Sequence, residues 1–305
     1  MRFAVVETIY EAALLDKNIY FITGDLNHAK VDEFKKNIPD QYINAGMAEQ
    51  NLIGVAAGLA LSGMKVFVYS IVPFITLRCF EQIKVDVCYH NVDVTIIGVG
   101  AGFAYSTMGA THYGIEDVAA FRALPHMQIV SPANPLEGRL LTRAVIERSG
   151  PAYIRIGKGG ESAPEKEYTL EFGKGLIMKP GDDVTIFSTG TIVEEALKAA
   201  ALLDGQGLST EVINLHTIKP LDAELIANRV RSRKAIFSLE EHNLLGGLGS
   251  AVAEVISEQN RAVVFKRFGV SDQWPKVVGS QRYLRNIFGL TGEQVADTIK
   301  NTIQK

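Results

Sequence analysis

The chain has 305 residues, which favours about two domains. Its 31 Lys and Arg against 34 Asp and Glu give a formal net charge of −3, which excludes a strongly basic nucleic-acid binder as the default reading. Hydrophobic residues at 47% and charged residues at 21% exclude wholesale disorder, and two cysteines, Cys79 and Cys88, cannot build a disulfide framework or a four-ligand zinc site.

Glu7, Glu11 and Asp16 interrupt the N-terminal stretch, so no signal peptide is expected. No uncharged apolar run reaches the roughly 18 residues of a membrane span. The expectation is a cytoplasmic protein with reduced thiols.

Short β-rich runs alternate with helical patterns, the signature of parallel α/β sheets. Residues 18–25 read as a strand ending at an acidic turn. Residues 49–63 read as a helix packed closely through Gly54 and Gly58 and stopped by Gly63. Strands follow at 65–71, 93–100 and 127–134, then a helix at 135–150 with Pro135 at its start, then a strand at 152–157. A stretch rich in Gly, charge and turn formers, 157–175, fits a connector. A second α/β set follows, with strands at 183–190, 208–221, 234–242 and 262–270. Helices are expected at 191–207, at 246–259 and at the C-terminus.

Single motifs are weak. Gly98, Gly100 and Gly102 follow a strand without a clear helix start, and Gly246, Gly247 and Gly249 open a helix without completing a dinucleotide fingerprint. Close packing or an anion-binding helix start explains either cluster. P-loop, H-E-x-x-H, C-x-x-C and G-x-S-x-G patterns are absent, and the histidines show no metal-ligand spacing. Glu49 stands at the start of a helix of small and apolar residues. There it either complements the helix dipole or, if buried, is a candidate proton handler. His112 lies in a polar loop with Thr111, before Glu116 and Asp117, and reads as a capping or surface histidine or as a catalyst.

Taken in order, the segments at 43–63, 109–135, 151–159 and 239–254 resemble the C-terminal half of transketolase, most closely the small subunit of split transketolases. The resemblance runs over residues 1–290. It implies two doubly wound α/β domains: a thiamine diphosphate pyrimidine-binding domain at 1–160, a linker at 161–178 and a transketolase C-terminal domain at 179–305. The same superfamily includes deoxyxylulose-phosphate synthase and 2-oxoacid dehydrogenase beta subunits.

The resemblance implies that Glu49 bonds the aminopyrimidine of thiamine diphosphate and drives formation of its ylid. It places Phe74, Ile71 and Arg78 along the cofactor, with Phe74 stacking on the pyrimidine, and His112 toward the reacting carbonyl or hydroxyl. The family holds the diphosphate and Mg²⁺ through a G-D-G motif in a separate N-terminal domain. This chain has no such motif, the nearest string being Gly181-Asp182-Asp183. The implied form is an α2β2 assembly around a homodimeric core, with a diphosphate-binding partner subunit that holds Mg²⁺.

Departures from the family pattern fall at substrate-facing positions. Met108 stands where an aspartate recognises a sugar hydroxyl, Gly100 where a histidine approaches the sugar phosphate, and Ala29 where a serine lies. Lys158 replaces the phosphate-binding arginine, with Arg155 nearby as a substitute. Losing a hydroxyl partner favours a substrate that lacks the hydroxyl. The expectation is a transketolase-like transferase moving a two-carbon ketol or acyl unit from a ketose phosphate or 2-oxoacid. The acceptor would be a deoxy or keto sugar, nucleotide-linked and destined for a branched-chain sugar. The alternatives are an ordinary split transketolase of the pentose phosphate pathway, a 2-oxoacid decarboxylating enzyme and a non-catalytic scaffold subunit. Glu240 and His242, before the second glycine cluster, read as structural or anion-binding.

Overall fold

The computed structural model describes residues 1–26 and 29–304. Among these, strands β1 (Ile19–Thr23), β2 (Tyr42–Asn44), β3 (Lys65–Ile71), β4 (Val94–Val99), β5 (Gln128–Val130) and β6 (Ala152–Ile156) form the first sheet. Strands β7 (Leu176–Lys179), β8 (Val184–Ser188), β9 (Thr210–Asn214), β11 (Ala235–Asn243) and β12 (Val264–Val270) form the second. Between β9 and β11, strand β10 (Thr217–Lys219) leaves its neighbours and pairs antiparallel with β5, so the first sheet is ordered β10-β5-β6-β4-β3-β1-β2. The second is ordered β12-β11-β8-β9-β7, parallel except for β7.

The central strands are buried along nearly their whole length because helices cover both faces of each sheet. One face of the first sheet packs Ile22, Val68 and Ile96 against Leu52, Ile53 and Ala56 of helix α3 (Glu49–Leu61). Its other face packs Phe21, Phe67 and Ile97 against Val5 and Ile9 of helix α1 (Arg2–Leu15) and Leu141 of the helix Pro135–Ile146. Helix α2 (Ala29–Asn37) adds Phe34 to that core. Asn134 caps the Pro135–Ile146 helix by accepting from the Glu137 amide at 3.1 Å.

Two sequence expectations change here. Residues 176–178, read as linker, belong to β7, and the stretch 208–221, read as one strand and turn, divides between the two sheets.

The domains also interlock through the loop after β4. Phe103, Tyr113 and Ile115 leave the first domain and enter the core of the second, with Leu239, Phe268 and Leu284. Phe103 stacks on Phe288 with ring centroids 5.6 Å apart and meets Tyr113 edge-on at 5.2 Å. Gly102 and Gly114 close the loop with mutual backbone hydrogen bonds of 2.8 and 3.0 Å. At Gly102, where φ is +60°, a β-carbon would fall 2.4 Å from the Glu241 carboxylate, so only glycine fits.

Candidate active site

In an open parallel sheet, a crevice forms where consecutive connections leave a strand on opposite sides. Here the chain runs from β1 out to β2 and returns to β3 on the other flank of β1. The crevice therefore opens at the carboxyl ends of β1 and β3. Gly24 ends β1 there, and a β-carbon on it would meet Ser70 Oγ at 3.3 Å and Glu49 Oε1 at 3.6 Å.

Glu49 opens α3 and is 3% exposed. A carboxylate with so little access to water needs partners. Ser70 Oγ, near the end of β3, donates to Oε1 at 3.0 Å, and Arg78 donates to Oε2 at 2.5 Å. The Arg78 guanidinium also lies over the Phe74 ring, 4.4 Å from its centroid. Phe74 sits on the short helix α4 (Val72–Ile75), directly after β3, with half-buried Ile71 at its start. The His112 ring meets Phe74 edge-on at 5.1 Å. Glu49, Arg78, Phe74 and His112 thus form one continuous chain of contacts.

His112 is half-buried, and its Nδ1 lies 2.9 Å from the Thr111 hydroxyl. The Tyr105 ring also approaches His112, with ring centroids 6.4 Å apart. The Tyr105 ring fills the space beside Gly100. A β-carbon at Gly100, whose φ is +96°, would stand 2.3 Å from Tyr105 Cδ2. Met108 is 57% exposed on the same loop.

Lys158 is exposed and lines a cleft of about 370 Å³ between the domains, with Thr191, Lys198, Arg282 and Arg285 of the second. Arg155, read from the sequence as a substitute phosphate ligand, is instead buried and committed. It donates through Nε to Asp117 at 2.8 Å and through Nη2 to the Gly114 and Glu241 carbonyls. Asp117 also accepts from Tyr153 at 2.6 Å. Burial pushes the Tyr153 phenol well above its ordinary range, which keeps it a donor. The side chain of Ala29 lies outside the described residues.

The second-domain candidates serve the fold. Glu240 accepts from the Leu248 and Gly249 amides, both at 2.7 Å, so the anion position at the start of helix Leu248–Ser257 is filled by the chain itself. His242 is buried, with Nδ1 2.8 Å from the Asn243 carbonyl and Nε2 accepting from the Ala119 amide at 3.4 Å.

Three residues escaped the sequence reading. Ser70 opens the segment that carries Phe74 and Arg78, but its bond to Glu49 is visible only once β3 is placed at the crevice. Tyr105 lies between Gly100 and Met108 but carries no signal of its own, since only the fold shows its ring beside Gly100 and His112. Arg2 opens α1, and its charge acts on Tyr69, whose phenol burial pushes up. Burial, with the Glu49 charge adding to it, pushes the Cys79 thiol up to about 12, so that neighbour stays a thiol.

Burial also pushes the Glu116 carboxyl up to about 7. Folding then favours the protonated acid. The stability this gives is complete below the unfolded value near 4.5 and is lost as pH rises through 7. Glu116→Gln is therefore expected to leave stability unchanged at pH 4 and to raise it at pH 8. After discounting for partial solvent contact the gain is about 1 kcal/mol. Urea unfolding of both proteins at the two pH values reads it, and an equal effect at both would contradict the assignment.

Family models place these geometries. Residues 1–160 match the transketolase pyrimidine-binding domain, and residues 173–295 match the transketolase C-terminal domain. The chain belongs to the transketolase family. An apulose-4-phosphate transketolase subunit of Actinobacillus succinogenes is 36% identical over 279 residues, 90% of this chain and 89% of that protein. A 6-deoxy-6-sulfo-D-fructose transketolase subunit of a Clostridium species is 36% identical over 299 residues, 97% of this chain and 92% of that one. A solved split-gene transketolase, described as an inactive beta4 tetramer, superposes with a TM-score of 0.87 at 35% identity. That match covers 99% of this chain and 97% of the other. The expected pair of doubly wound α/β domains is therefore the family's own arrangement. Among the described residues no helix is long and apolar enough to cross a membrane, and no three His, Cys, Asp or Glu side chains group to hold a metal ion.

Proposed function

We propose that this chain is the pyrimidine-binding subunit of a thiamine diphosphate-dependent, transketolase-like transferase that works with a diphosphate-binding partner. The observation that carries this is Glu49: a carboxylate 3% exposed, at the switch point of the first sheet, joined through Arg78 to an aromatic ring and a histidine. A flat heteroaromatic ring with a basic nitrogen needs an acid at its edge and an apolar ring beside it, and Glu49 and Phe74 fit those needs. Held there by Glu49 and Phe74, the cofactor would supply the nucleophilic carbon and electron sink needed to move a two-carbon unit from a ketose phosphate or 2-oxoacid.

The chain's own residues set the terms. Ser70 and Arg78 fix both carboxyl oxygens of Glu49, yet each oxygen keeps a further lone pair for a ring nitrogen. Glu49 exchanges a proton with that nitrogen. His112, with Nδ1 beside the Thr111 hydroxyl, keeps Nε2 for the oxygen of the reacting carbon. His112→Ala is expected to lower kcat about a hundredfold or more. Half-buried on a loop anchored elsewhere, it contributes little to the melting temperature; a kcat within threefold of wild type would remove it from the chemistry.

The diphosphate and Mg²⁺ fall to the partner in this reading, in an α2β2 assembly around a homodimeric core. Relatives of nearly the same length are themselves named as transketolase subunits, which supports a partner. Lys158 is the cation for a substrate phosphate in this reading, since Arg155 is buried and held by Asp117 and two backbone carbonyls. Met108 and Gly100 offer no hydroxyl partner, which favours a deoxy or keto sugar, including a nucleotide-linked one on the way to a branched-chain sugar.

The test combines the chain with its diphosphate-binding partner, thiamine diphosphate and Mg²⁺. Ketose phosphates and pyruvate serve as donors, aldose phosphates and nucleotide-linked 4-keto sugars as acceptors, with products read by mass spectrometry. Transfer by the pair and not by either subunit alone is expected. Transfer to ribose 5-phosphate as efficient as to any deoxygenated sugar would make this an ordinary split transketolase and remove the acceptor reading. No transfer to any acceptor would remove the function.

A further inference from the structure

The loop after β4 passes Gly100, crosses into the second domain at Phe103 and returns at Tyr105, Met108 and His112. Its course sets the Tyr105 side chain beside Gly100 and His112. Gly100 has no side chain and tolerates none: at φ +96° a β-carbon would lie 2.3 Å from Tyr105 Cδ2 and 2.4 Å from Cε2. The ring of Tyr105 therefore occupies the volume into which position 100 would otherwise project. That ring is half-buried and stands near-perpendicular to the His112 ring, at 74°, with centroids 6.4 Å apart. Tyr105 also precedes the single turn Ser106–Met108, and its carbonyl accepts from the Met108 amide at 2.9 Å. One rigid turn thus sets both the Tyr105 ring and the exposed Met108 side chain.

We propose that Tyr105 is a specificity-determining residue of the acceptor subsite: its ring forms the wall beside His112 and favours a sugar that presents C–H rather than O–H on that side. The inference rests on the transferase reading above and deepens it. An aromatic face in van der Waals contact accepts C–H groups and gives no partner to a hydroxyl, which is penalised when it loses water. Met108 is adjacent and position 100 carries no side chain, so neither gives a sugar hydroxyl a partner beside the Tyr105 ring.

The test is an internal competition. The assembled pair, with cofactor and Mg²⁺, is given ribose 5-phosphate and 2-deoxyribose 5-phosphate in one vessel, and the product ratio is read by mass spectrometry. The ratio reports relative kcat/KM and does not depend on how much of a variant is folded. Wild type is expected to favour the deoxy sugar. Tyr105→Ala is expected to shift the ratio at least tenfold toward ribose 5-phosphate, while Tyr105→Phe keeps the wild-type ratio within about twofold. A ratio unmoved by Tyr105→Ala overturns the assignment and leaves Tyr105 a packing residue, with the transferase reading intact. A Phe variant as altered as the Ala variant overturns the apolar-face assignment, because the hydroxyl would then carry the selection. A wild-type pair that transfers to neither sugar overturns the transferase reading first, and this inference with it.

Discussion

Glu49→Gln is expected to abolish turnover, with kcat of the assembled pair falling about a thousandfold or more. The amide keeps the shape of the carboxyl, with its oxygen accepting from Arg78 and its NH2 turned to donate to Ser70 Oγ, but it cannot hold or give up a proton at a ring nitrogen. Folding should barely register the change. Arg78, the cation left behind, has a side chain 44% exposed, so water takes over its charge, and the pair contributes within about 1 kcal/mol. The measurement is kcat beside the melting temperature for both proteins. A variant that keeps a tenth of wild-type activity would show that Glu49 only places the cofactor, or does not meet it.

The largest effect on stability belongs to Asp117. Its Oδ2 receives Arg155 Nε at 2.8 Å and the Tyr153 hydroxyl at 2.6 Å, with all three side chains buried. Removing one member of a buried pair leaves the other charged and away from water, at a cost of about 3–5 kcal/mol. Asp117→Ala should cost that much in urea unfolding. Asp117→Asn, which still accepts one hydrogen bond, should cost less. The loss should reach the active site too, because Arg155 donates to the Gly114 carbonyl at 2.6 Å, two residues from His112. If Asp117→Ala unfolds within about 1 kcal/mol of wild type, the network is not the joint described here.

Much of the fold was legible because buried parallel strands are written as unbroken apolar runs. Residues 65–71 and 94–99 have no solvated face and so no alternation to blur. What escaped notice was whatever depends on a distant partner. The three residues of β10 read as the tail of β9, since nothing local says that Thr217 pairs with Val130. Leu176–Lys179 lies at an edge, half-exposed, amid linker composition. The site divides in the same way. Glu49, Phe74, Arg78 and His112 were singled out through ordered motifs, and the fold brings them into contact. Arg155 looks available in the sequence because it lies three residues from Lys158, yet it sits inside β6 and is buried. The aspartate that occupies it lies 38 residues away, and the carbonyl of Glu241, 86 residues away, is beyond any sequence window.

Strand β10 has a consequence for how this polypeptide comes into being. The edge of the first sheet beside β5 stays open during synthesis until Thr217–Lys219 has left the ribosome, well after the last of the sheet's other strands. A nascent first domain therefore exposes an unpaired strand edge, a template for wrong pairings, for as long as translation takes to cover that interval. A gene cut between the two domains would leave that edge open for good, so halves expressed apart should aggregate unless they meet early.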